Sequence, residues 1–121
     1  MKKDNIVVEK TYAFAIRIVN CYKYLNAEQK EFIISKQMLR SGTSIGANVE
    51  EAVGGQSEKD FYSKLHIAYK EARETNYWLR LLRDTEFLDR KMSESILTDN
   101  DEILKLIGSI IKTMKSKFPN S

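Results

Sequence analysis

Glu50, Glu51, Glu71 and Glu74 form two close pairs, and paired carboxylates on facing helices are what a two-metal centre is built from. Such a centre also needs Glu-x-x-His on two helices. The chain has one histidine, His66, and the residue three before it is Ser63, so the ligand set is incomplete. A structural use fits better. On a helical wheel Glu71 lies at the edge of an apolar seam, with Lys64 and Trp78 one heptad away and Glu74 just beyond. Arg40, upstream, is placed to reach these acids across an antiparallel contact. An ion network of Arg40, Glu50, Glu71 and Glu74 would fix register more than it adds stability.

Other candidate chemistry is weaker. Four of the five glycines, Gly42, Gly46, Gly54 and Gly55, stand in RSGTSIGANVEEAVGG, starting at Arg40. A phosphate loop needs G-x-x-x-x-G-K-[ST] after a strand, whereas Gly42 and Gly46 are four apart with no lysine following. Cys21 is the only cysteine, which excludes an internal disulfide and suits a reduced compartment. It lies in an apolar run and reads as a small buried hydrophobe rather than a nucleophile. His66 falls opposite the seam, near Lys70, Arg73 and Tyr77, and reads as part of a solvated face.

The elements that position these residues follow from spacing. The only proline is Pro119, and hairpin signals are missing, so long helices are allowed. Four are expected, at about 5–25, 28–53, 58–84 and 90–117. Gly54-Gly55 should stop the second through a left-handed residue, and Ser57 with Asp60 should cap the third. Within the third, Phe61, Leu65, Ala68, Ala72, Thr75, Leu79 and Leu82 follow a 4-3-4-3 spacing, a seam suited to antiparallel neighbours. Ile96, Ile103, Ile107, Ile110 and Met114 give the fourth a wide apolar face. The fold class is all-α, an antiparallel up-down-up-down four-helix bundle occupying residues 1–121 as one domain.

In the second helix, Phe32, Ser35, Leu39, Gly42, Gly46, Val49 and Val53 make one stripe, so the glycines face inward. Each costs about 1 kcal/mol against alanine in a helix, which close packing must offset. Trp78, Tyr22 and Phe14 are the expected neighbours.

RSGTSIGANVEEA, followed by QSEKDFYSKLHIAYKEARETNYWLRLL, resembles the signature of a bacterial four-helix bundle family that includes the protein encoded within the intervening sequence of some 23S ribosomal RNA genes. The resemblance spans about Met38 to Leu88. It implies an antiparallel bundle, commonly a ring-shaped homopentamer, with no catalytic activity or cofactor to carry over. Bundles similar to it include an accessory protein of diversity-generating retroelements that binds nucleic acid and a reverse transcriptase.

Function is then sought outside the core. Tyr69, Tyr77 and Trp78 exceed what the seam needs, and mark a subunit interface in preference to base-stacking platforms. Lys2, Lys3, Lys10, Lys112, Lys115 and Lys117 should converge at the end of the bundle that carries both termini. That patch is either a salt-sensitive phosphate-binding surface or a pair of solvated helix ends. Net charge is +3 and no segment is long and apolar enough to span a bilayer, so a cytoplasmic protein is expected. The leading expectation is a non-enzymatic homo-oligomer that contacts RNA or DNA, with a polypeptide partner as the alternative.

Overall fold

The computed structural model describes residues 2–117, with side chains from Asn5 onward. Four helices make up the chain: α1 (Lys2–Ala27), α2 (Ile34–Val53), α3 (Glu58–Asp84) and α4 (Arg90–Lys115). Each packs on two neighbours, α1 on α2 and α4, and α3 on α2 and α4, in an antiparallel up-down-up-down square. Heptad-like spacing supplies the core. Val7, Phe14, Ile18, Cys21 and Leu25 come from α1, while Met38, Ile45, Val49 and Ala52 come from α2. The α3 seam runs as expected from Leu65 to Leu82, but at its start Tyr62 is buried and Phe61 only half so. Ile96, Ile103, Ile107, Ile110 and Met114 of α4 are all buried, and Ile111 half so.

Both inward glycines serve the α1/α2 contact. A methyl group at Gly42 would lie 2.8 Å from Ile18 Cγ1, and one at Gly46 would lie 3.2 Å from the Thr11 carbonyl oxygen. Their neighbours are therefore Ile18 and Thr11 of α1, in place of the expected aromatics. Small residues let the two backbones approach, and the larger rings are accommodated elsewhere.

Helix α2 begins six residues later than its spacing suggests. Lys30 adopts φ 55°, a left-handed conformation that ends the first helical path. The Glu31 carboxylate then accepts the N–H groups of Ile33, Ile34 and Ser35, at 3.1, 2.9 and 2.6 Å. Phe32 is thereby left in the connection, 56% exposed, instead of heading the α2 stripe. Burial alone would push the Glu31 carboxyl up, but those backbone donors outweigh it and hold the group below its ordinary value. The far end of α2 also departs from expectation: Gly54 has φ −83°, so the helix stops without a left-handed glycine. Ser57 Oγ caps α3 by accepting the Asp60 N–H at 3.0 Å, and Asp89 caps α4 through Met92 N–H at 2.7 Å.

Candidate nucleic-acid interface

The four seams of the square differ in charge. Across α1/α4, Lys10 pairs with Glu102, and Arg17 pairs with Asp99 at 2.7 Å. Across α2/α3, Arg40 meets Glu71 at 3.5 Å and also pairs with Glu74, while Lys64 meets Glu51 at 3.4 Å. Among the described residues no ion pair crosses α1/α2. Among the same residues one, Lys117 to Glu58 at 3.3 Å, joins the turn after α4 to the start of α3.

The expected acidic network is thus assembled in part. Glu74 accepts the Trp78 indole N–H at 2.9 Å, and this bond with Arg40 holds its carboxyl below the usual range against the opposing effect of burial. Glu50 does not join. One residue turns a helix by 100°, so Glu51 faces Lys64 while Glu50 is exposed on another flank. Among the described residues, no three His, Cys, Asp or Glu side chains come together in a way that would hold a metal ion.

The expected basic end is redistributed. Lys2 and Lys3 lie outside the described side chains. Lys10 is neutralised by Glu102 on the α1/α4 seam, and Lys117 by Glu58. Lys112 and Lys115 remain exposed on α4, joined by Lys105 one heptad before Lys112, and none of the three has an ion-pair partner among the described residues. Of the six sequence candidates, Lys10 and Lys117 are paired with acids, Lys112 and Lys115 are exposed without an ion-pair partner among the described residues, and Lys2 and Lys3 lie outside the described side chains.

The aromatic candidates also separate. Tyr69 packs inside the α3/α4 seam, its Cε2 only 3.4 Å from where a methyl on Gly108 would stand. Trp78 is half-buried against the core and tied to Glu74. Tyr77 alone of the three is open to solvent, 50% exposed, with the Arg80 guanidinium 5.9 Å from its ring centre. His66 is not on a solvated face: it is half-buried edge-on to Tyr62, with rings 4.6 Å apart and Nε2 sealed from solvent. Burial pushes the Cys21 thiol up to about 11, Arg17 offsetting only part of it, which suits a packing role.

Sequence reasoning missed the apolar exposures on α1, the largest being Tyr12 at 61% and Ile16 at 49%. Their 4-residue spacing, followed by Val19, was a readable signal of a second stripe beside the core one. Among the described residues no helix is long and apolar enough to cross a membrane.

Residues 3–109 match the family model described as 23S rRNA-intervening sequence protein. A crystal structure of a protein with unknown function from the S23 ribosomal protein family of Bacteroides thetaiotaomicron is 61% identical, with a TM-score of 0.89. The match covers 91% of this chain and 98% of that one. No curated protein matches the chain.

Proposed function

The chain belongs to the 23S rRNA-intervening sequence protein family, and from that premise we propose that it is a non-enzymatic, self-associating bundle that contacts RNA or DNA. The observation that carries this reading is the run of exposed α4 lysines, Lys105, Lys112 and Lys115, without carboxylate partners among the described residues, while the cations of two other seams are paired. Unpaired lysines keep their full attraction for phosphate and release counterions on binding. Contact of this kind is salt-sensitive and tolerant of sequence. Self-association is supported by Tyr12, Ile16 and Tyr77, apolar or aromatic groups that the single chain leaves half open. The family resemblance makes a homopentamer the expected assembly, and the cytoplasm is the proposed setting.

Fluorescence anisotropy with a labelled RNA at 50 and 200 mM salt tests the reading. Wild type should bind at the lower salt and weaken steeply at the higher one, and changing Lys105, Lys112 and Lys115 together to Ala should weaken binding throughout. Equal binding by that variant would sink the reading. Light scattering gives the assembly, and a monomer at micromolar concentration would remove the ring. A polypeptide partner in place of nucleic acid is the alternative, favoured by the α1 stripe if wild type ignores RNA and DNA at low salt.

A further inference from the structure

We infer that α3 and α4 together form a two-banked cationic furrow along which a single strand of nucleic acid lies lengthwise, rather than capping one end of the bundle. The inference rests on the nucleic-acid reading above. Its first observation is a row on α3. Residues 59, 62, 66, 69, 73, 76 and 80 recur at spacings of three and four, so they share one flank of the helix. Tyr69, seated over Gly108, and Ala72, whose carbonyl accepts the Asn100 side-chain N–H at 2.9 Å, identify that flank as the one turned to α4. Lys59, Arg73 and Arg80 stand on it, with Lys70 one position farther out, and all four are exposed.

The second observation is the opposite bank. Residues 101, 105, 108, 112 and 115 of α4 recur at the same spacings, and Gly108 shows that they border α3. Antiparallel register from the Tyr69/Gly108 crossing brings Arg73 about level with Lys105, and Tyr62 about level with Lys115. Lys59, Lys70, Arg73, Arg80, Lys105, Lys112 and Lys115 have no ion-pair partner among the described residues. Against them stand Asp101 and, where the same spacings continue past Arg80, Asp84 and Glu94, with which Arg83 and Arg90 pair.

Size favours a single strand. From Lys59 to Arg80 the row runs about 30 Å at 1.5 Å per residue, the length of roughly nine stacked nucleotides at 3.4 Å each. Packed helix axes lie about 8–10 Å apart, so cations rising from the two banks flank one phosphate backbone. The rings along the furrow are turned inward, Tyr62 buried and Tyr69 and His66 half-buried. Contacts are then mainly to phosphate, and sequence preference is weak.

The test compares two triple variants with the same loss of charge. One removes the α3 bank (Lys70→Gln, Arg73→Gln, Arg80→Gln). The other removes cations without ion-pair partners elsewhere (Lys23→Gln, Lys30→Gln, Lys36→Gln), and circular dichroism and light scattering check that both keep fold and assembly. Binding of a labelled mixed-sequence 20-nucleotide RNA, and of its duplex, is followed from 50 to 200 mM salt. The α3 variant should bind the single strand roughly tenfold or more weakly at 50 mM and flatten the log–log salt slope by about two, near 0.7 per lost phosphate contact. The control should stay within about threefold of wild type. Equal weakening by both variants would overturn the furrow and leave the broader reading standing. Duplex binding as tight as the single strand's, with the same loss in the α3 variant, would overturn the single-strand assignment. Absence of wild-type binding at 50 mM salt would remove the broader reading and the furrow with it. Should the α3 variant alter assembly, Lys105→Gln with Lys112→Gln on the other bank should flatten the slope by about 1.4, two lost contacts at about 0.7 each.

Discussion

The α1/α2 and α3/α4 seams are opposite sides of one square, and they solve the same packing problem with different exteriors. Both bring helices close at glycine: Gly42 and Gly46 under Ile18 and Thr11 on one side, Gly108 under Tyr69 on the other. Outside the first seam stand Tyr12 and Ile16, with no ion pair across it among the described residues. Outside the second stand lysines and arginines with no ion-pair partner among the described residues. Between them, α1/α4 and α2/α3 carry matched charges. The two sides share one core, and what differs is the surface outside each seam: apolar side chains on one side, cations on the other.

The glycines give the largest expected effects and test whether the two close approaches are equivalent. At Gly42 an added methyl must displace Ile18 at both Cγ atoms, 2.8 and 2.9 Å away, and at Gly46 it presses on backbone that has little room to give. Gly42→Ala should therefore lower stability by about 1–3 kcal/mol, despite the roughly 1 kcal/mol that alanine contributes to helix propensity. Gly108→Ala meets only the edge of Tyr69 at 3.4 Å, an ordinary contact. It should leave stability unchanged or raise it by up to about 1 kcal/mol. Urea midpoints for the two variants decide the matter. A common sign would show that the α1/α2 seam is no tighter than its opposite.

The connections that close the two seams differ as well. Between α1 and α2 a buried carboxylate, Glu31, accepts three backbone N–H groups, whereas between α3 and α4 the exposed Asp89 accepts one. Glu31→Ala should cost about 2 kcal/mol and Asp89→Ala about 1 kcal/mol. Because the folded Glu31 carboxyl titrates below its ordinary value of 4.5, its charge contributes fully above that pH and is lost as pH falls through the lower folded value. The stability gap between wild type and Glu31→Gln should thus shrink between about pH 5 and pH 3. A gap that holds constant to pH 3 would mean that the carboxylate's charge is not what starts α2.

The fold was legible because its signals are periodic: the 4-3-4-3 runs of α3 and the isoleucine face of α4 need no distant information. The Ser57 cap was legible too, being local chemistry at fixed spacing. What escaped was set by three-dimensional neighbours. A left-handed lysine has no sequence cue, so Lys30 and the cap at Glu31 went unread and α2 was begun too early. The glycine positions told that something approaches closely but not that it is Ile18. Charge showed the same limit, since spacing placed Lys10 and Lys117 near one end, while the acids that neutralise them come from helices 59 to 92 positions away in sequence.

The smallest expected effect concerns a seam between the two extremes. Arg40 is half-exposed and faces Glu71 and Glu74 across α2/α3, with Trp78 fixing Glu74 from its own helix. Solvent screens such a pair, so Arg40→Gln should cost less than about 1 kcal/mol, and a double-mutant cycle with Glu74→Gln should give a coupling of about 0.2–1 kcal/mol. The coupling should fall further in 1 M salt, where charges more than a few ångströms apart are screened. Beneath the pair, Thr75 Oγ1 donates to Ser41 Oγ at 2.8 Å in the buried layer, a contact that salt does not reach. If register is held from the surface, Arg40→Gln alone should broaden the unfolding transition or change the assembly seen by light scattering. If it is held from the core, that variant should behave as wild type while Thr75→Val, which leaves Ser41 without its donor, loses about 1–2 kcal/mol. The burial of Thr75 and Ser41 favours the core, and a coupling above about 2 kcal/mol at Arg40 and Glu74 would reverse that order.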